Sequence, residues 1–119
     1  ITGASAGIGK ALAFEFASRG HGVLLLARRQ DLLNSLKAEI CSKFPGARVV
    51  IKSVDVTDEE AISATLELAS SALGGLNAAI SCAGVLGAGR VLGRDGPMKL
   101  KSFATTVMIN LVLLLYTSD

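Results

Sequence analysis

Short unbroken apolar runs take turns along this chain with segments whose apolar residues recur every three or four positions. The run Val23–Ala27 (VLLLA) has no polar alternation, which marks a strand covered on both faces. A first strand ends at Thr2 and is followed by a helix from about Gly7 to Arg19, with Ile8, Leu12 and Phe16 on one face and Gly20 closing it. After Val23–Ala27 the spacing predicts a helix over about Asp31–Lys43, striped by Leu32, Leu36 and Ile40, with Pro45-Gly46 as the turn out. Val49–Val54 is the next strand. Thr57 with Glu60 forms a capping box that opens a helix to about Leu73, where Gly74-Gly75 stops it. Ala78–Ser81 is the fourth strand, Gly84–Lys101 a glycine-rich loop carrying Pro97, and a last helix runs from about Ser102 towards Tyr116. Strands alternating with helices imply right-handed β-α-β crossovers and one parallel sheet with helices on both faces. In such an α/β fold, ligands sit at the carboxyl ends of the strands.

Size and charge narrow the function classes. With 119 residues the chain has room for one domain with a real core, and not for a separate substrate domain as well. Half of it is apolar but only 4% is aromatic, the small and aliphatic composition of a covered parallel sheet. A net charge of +2 from scattered basic residues gives no footprint for nucleic acid or a membrane surface. The longest apolar run, Met108–Tyr116, is interrupted by Asn110 and is too short to span a bilayer, so it reads as a buried helix. Cys41 and Cys82 have no partner histidines at metal-ligand spacing and read as reduced thiols of a cytoplasmic protein without a metal. The chain begins inside its first strand, so no targeting segment can be read.

Each predicted strand end carries groups that suit a dinucleotide. Gly3, Gly7 and Gly9 lie between a strand stub and a helix start, where side-chain-free residues let phosphate oxygens reach unpaired N–H groups at the positive end of the helix dipole. The spacing is not G-x-G-x-x-G. A P-loop is ruled out because Ala4 and Ala11 stand where its first glycine and its hydroxyl belong. A tight strand-to-helix turn with no ligand is the other reading of such a loop. The second strand ends Ala27-Arg28-Arg29. A small residue followed by arginine leaves room for a ribose 2′-phosphate and neutralises it, which favours NADP over NAD; solvated surface charges are the other reading. The third ends Val54-Asp55-Val56, where Asp55 can accept from an adenine amino group while the next N–H donates to the ring. An Asx turn leading to Thr57 fits equally. The fourth ends Ser81-Cys82-Ala83-Gly84, small enough for a nicotinamide ribose to approach, or simply a small-residue turn.

Taken in order, these segments resemble the short-chain dehydrogenase/reductase family. TGASAGIG is similar to its cofactor loop TGxxxGxG, ARR to its NADP-type second strand, DV to its adenine contact and SCAG to its NNAG turn. The resemblance implies a three-layer Rossmann fold, NADP(H) as cofactor, and hydride transfer to or from a small-molecule alcohol or carbonyl substrate. It also implies cofactor contacts from the whole loop, Ser5, Ala6 and Ile8 included, and a homodimeric or homotetrameric complete protein. Asn110, in MINLVLLL, lines up with the asparagine of the family's Asn-Ser-Tyr-Lys tetrad, which helps to hold a proton-relay water. Without the resemblance it is a polar residue at a helix interface. Phe44-Pro45-Gly46 and ARRQDLL look faintly like members acting on 3-hydroxy acids or hydroxyacyl substrates.

Two departures stand out. Ser81 and Cys82 replace the two asparagines of NNAG. The serine and the Tyr-x-x-x-Lys that follow the asparagine helix in the family do not occur before Asp119. Tyr116, six residues past Asn110, has no lysine after it to lower its pKa. The expectation is therefore the amino-terminal, cofactor-binding portion of an NADP-dependent oxidoreductase, cut short at both ends and inactive alone. A non-catalytic NADP-binding sensor or regulatory module is the alternative, and a fragment without independent function a third.

Overall fold

The computed structural model describes residues 1–87, 90–94 and 96–112. The chain divides into two compact units, Ile1–Ala83 and Gly84–Asp119.

In the first unit the elements are α1 (Gly7–Ser18), β1 (Val23–Ala27), α2 (Gln30–Lys43), β2 (Val49–Ser53) and α3 (Glu59–Leu73). β1 and β2 run parallel, in register from Val23 opposite Val49 to Ala27 opposite Ser53. On the other side of β1 the first residues of the chain complete the sheet. Thr2 bridges Leu26 and Ser81, both in parallel sense. The Leu26 N–H donates to the Ile1 carbonyl (2.9 Å), the Ala4 N–H to the Leu26 carbonyl (3.1 Å), and the Thr2 N–H to the Ile80 carbonyl (3.0 Å). The spatial order is thus β2, β1, the Thr2 segment and the Ser81 segment, the first half of a Rossmann sheet with its topological reversal beside Thr2.

The strand pleat divides the core in two. Val23, Leu25 and Ala27 pack with Ala13, Ala17, Leu33, Leu36 and Ile40 of α1 and α2. Leu24 and Leu26 pack with Val54 and Ala69, joined by Ile62 and Leu73 of α3. All five residues of β1 are buried, as its unbroken apolar run predicts, and helices cover both faces of the sheet.

Several local expectations need correction. In α1 the buried stripe is Gly9, Ala13 and Ala17, not Ile8, Leu12 and Phe16; Ile8 is 75% exposed. Small side chains let this helix approach the strands closely, so the larger ones flank the contact. In α2 Leu33, not Leu32, joins Leu36 and Ile40 inside. α3 is opened by Asp58, whose carboxylate accepts from the Ala61 N–H at 3.0 Å; Thr57 gives its hydroxyl hydrogen to Asp55 instead. β2 ends at Ser53, one residue early, and the predicted strand Ala78–Ser81 makes a single bridge, at Ser81.

The second unit holds a short antiparallel hairpin, β3 (Leu92–Gly93) with β4 (Gly96–Pro97), inside the segment expected to be loop. The Met98 N–H donates to the Val91 carbonyl at 2.9 Å and extends the pairing. α4 (Leu100–Val107) starts two residues before its predicted position and passes into a π-helical turn, Met108–Val112. No residue of α4 is buried, and in the run expected to be a buried helix Met108 and Leu111 are exposed and Ile109 only half-buried, so that expectation fails over Met108–Leu111. Its continuation towards Tyr116 lies outside the described residues. Among these, no helix is long and apolar enough to cross a membrane.

Candidate cofactor site

The loop from Gly3 to Gly9 uses its three glycines in three ways. Gly3 has φ +62°, and a Cβ there would lie 2.6 Å from the Cys82 carbonyl oxygen and 2.7 Å from the Ala83 nitrogen. A Cβ on Gly9 would run into the Gly3 carbonyl, 2.8 Å from its carbon. The first approach is between the ends of the first and fourth strands and the second between α1 and the start of the loop, backbone against backbone in each case, so these two glycines are demanded by the fold. Gly7 is different. It has φ +54° at the first position of α1, with nothing within 4 Å of a would-be Cβ. Its N-cap, Ala6, is extended and has no capping side chain, and no acidic residue stands in the first turn. The leading N–H groups of α1 therefore have no side-chain acceptor among the described residues, and the space beside Gly7 is open. Ala6, Gly7 and Ile8 form the exposed rim of that opening and Ser5 is half-buried behind it.

The carboxyl ends of the strands lie on the same side of the sheet as this opening. Ala27 is buried, and Arg28 and Arg29 turn outwards before α2. Ser53, which ends β2, donates its hydroxyl to the Arg28 carbonyl at 2.7 Å. Asp55 follows directly. Its Oδ1 accepts from both the Thr57 N–H (2.9 Å) and the Thr57 hydroxyl (2.7 Å). These two bonds, the main-chain one first, hold the Asp55 carboxyl below its usual value, with a smaller contribution from the nearby Arg28 charge. The Asx turn foreseen as one alternative for Asp55 is thus present, while Oδ2 accepts no hydrogen bond among the described residues. Val56 is half-buried at the next position.

A role missed in the sequence belongs to Thr2. Its Oγ1 accepts from the N–H groups of Cys82 (3.2 Å) and Ala83 (3.1 Å), tying the fourth strand's end to the first. A hydroxyl immediately before the first glycine was the available signal. This clamp holds the turn although Ser81 and Cys82 have no side-chain amides to offer. Cys82 and Ala83 are half-buried beside Gly3.

In the second unit Asn110 lies in the π-helical turn and grips one residue twice: its Oδ1 accepts from the Val85 N–H (2.8 Å) and its Nδ2 donates to the Val85 carbonyl (2.7 Å). The neighbouring Gly84 would bring a Cβ to 3.4 Å from that same oxygen. The side-chain amide is therefore spent on pinning the segment that follows Gly84.

A family model of the short chain dehydrogenases matches residues 1–118. The chain belongs to the short-chain dehydrogenase/reductase family. An uncharacterised oxidoreductase of Mycobacterium tuberculosis is 37% identical over 118 residues, 95% of this chain and 47% of that protein. Among solved structures, a short-chain type dehydrogenase/reductase from Mycobacterium marinum superposes with a TM-score of 0.86 at 30% identity, over 98% of this chain and 45% of the other. An alcohol dehydrogenase from the archaeon Thermococcus sibiricus, complexed with 5-hydroxy-NADP, also reaches a TM-score of 0.86, at 26% identity over 98% and 48%. The chain spans about half the length of these relatives.

Proposed function

We propose that this chain forms the NADP(H)-binding part of an oxidoreductase that interconverts an alcohol and a carbonyl. The observation that carries the reading is the pair Arg28 and Arg29, exposed directly after the small, buried Ala27 that ends β1. A complex of a related alcohol dehydrogenase with an NADP analogue supports it.

In this reading the open start of α1 takes the pyrophosphate through main-chain N–H groups, with Ser5, Ala6, Gly7 and Ile8 as its rim. Gly3 and Gly9 shape the loop from behind. Arg28, with Arg29, neutralises the 2′-phosphate. Asp55, fixed by Thr57 through Oδ1, presents Oδ2 to the adenine amino group and Val56 its N–H to the ring. Cys82, Ala83 and Gly84 leave room for the nicotinamide ribose. When bound, the nicotinamide supplies or accepts the hydride. Asn110 is the positioning asparagine of the proton relay. With its side-chain oxygen committed to Val85, a water would sit on its main-chain carbonyl or its remaining amide hydrogen. A homodimer or homotetramer working in the cytoplasm completes the proposal.

The test is cofactor preference. The complete protein should bind NADPH more tightly than NADH, and Arg28→Ala should remove most of the difference, about 1–3 kcal/mol for a charge-assisted contact. Equal binding of the two cofactors by the unmutated protein would overturn the NADP reading.

A further inference from the structure

We infer that Ser53 is a positioning residue for cofactor choice, acting through Arg28 by its hydroxyl hydrogen bond to the Arg28 carbonyl. The inference rests on the reading of Arg28 as the residue that meets the 2′-phosphate.

Beyond Ala27 the strand ladder stops, and the chain has two exposed residues in which to turn into α2, which begins at Gln30. The last backbone tie of the sheet is the Val54 N–H on the Ala27 carbonyl, at 2.9 Å. The carbonyl of Arg29 is taken by the Leu33 N–H at the start of the helix. Between these two the Arg28 carbonyl is fixed by one long-range bond, from Ser53 Oγ at 2.7 Å, across 25 residues of sequence. That bond sets the peptide plane from which the arginine side chain departs. The guanidinium stands at the end of a long side chain, so a rotation of about 10° at its backbone carries the charge by roughly 1 Å, enough to weaken a contact that depends on its position. The effect of Ser53 is on where the positive charge of Arg28 is held. The Gly7 opening and the Thr2 clamp do not depend on it, because they are tied through other bonds.

The experiment is a titration of the complete protein with NADPH and with NADH, followed by nicotinamide fluorescence, with far-ultraviolet circular dichroism to verify folding. Ser53→Ala should weaken NADPH by roughly three- to tenfold, the range for one neutral hydrogen bond, and NADH by less than about twofold. Ser53→Thr, which keeps the hydroxyl, should restore the preference. In an Arg28→Ala background Ser53→Ala should change the NADPH to NADH ratio no further. Equal weakening of both cofactors, or an undiminished effect without Arg28, would overturn the inference. Loss of preference in Arg28→Ala but not in Ser53→Ala would overturn it while leaving the Arg28 reading standing; no preference in the unmutated protein would remove that reading itself.

Discussion

A methyl group at Gly9 would meet the main chain of Gly3, 2.8 Å from its carbonyl carbon, whereas one at Gly7 would meet nothing within 4 Å. Two glycines of one motif therefore fail differently. Gly9→Ala forces backbone against backbone and should cost about 1–3 kcal/mol, read as a lower melting temperature. Gly7→Asn keeps a residue that tolerates positive φ, so the fold should survive, but it fills the open helix start and should abolish NADPH binding by titration. Retained affinity in Gly7→Asn would show that this opening does not hold phosphate. Asp55 offers a test of another kind. Its carboxyl is depressed in the folded protein, so its stabilising effect is complete above the unfolded pKa of about 3.9 and is lost as pH falls through the folded value. The difference in melting temperature between the wild type and Asp55→Asn should hold steady from neutrality to about pH 4 and shrink below it. A difference that persists unchanged into stronger acid would mean that the charge is not what Thr57 stabilises.

At the scale of elements, the start of α3 separates two neighbouring side chains by role. Asp58 accepts from the Ala61 N–H, so Asp58→Ala should cost about 1 kcal/mol in urea denaturation, a normal loss for an N-cap. Thr57→Ala acts through Asp55 and should cost less than the cap. Sequence alone put the cap one residue early because Thr57-x-x-Glu60 satisfies the capping pattern as well as Asp58 does, and only the competing bond to Asp55 decides between them. The same kind of competition explains the other misreadings. β1 was readable residue for residue, because a strand buried on both faces leaves an unbroken apolar run. The faces of α1 were not. Its sequence offers two stripes of period four, offset by one residue, and the smaller one is buried because Gly9, Ala13 and Ala17 permit close packing under Leu25 and Ala27. Ser81 pairs only at a single bridge, and the short hairpin at Leu92–Pro97 rests on two paired positions, too few to leave a period. In the candidate site, the residues at the strand ends could be named from spacing. The partners that orient them could not, since Thr2 with Cys82 and Ser53 with Arg28 meet only after the sheet has formed.

On the scale of the whole first unit, adjacent residues of β1 anchor different halves of the core. Leu25 is fully buried among α1 and α2, and Leu24 is nearly so against α3. The glycine loop, the Arg28 turn and the Asp55 turn all leave the edge of this one sheet, so its two-sided packing is what keeps them aligned. Leu24→Ala and Leu25→Ala should each cost about 2–5 kcal/mol, the range for emptying a leucine site in a packed core. Because the two side chains belong to separate clusters, the double variant should lie within about 0.5 kcal/mol of the sum. Saturating NADPH, binding only the folded protein, should recover about 2.7 kcal/mol at a hundredfold excess over its dissociation constant, and equally in both single variants. Urea denaturation of the complete protein, with and without the cofactor, measures all of this. A cheap Leu24→Ala would mean that α3 does not seal the second face. Recovery in one variant only would mean that one face alone supports the site.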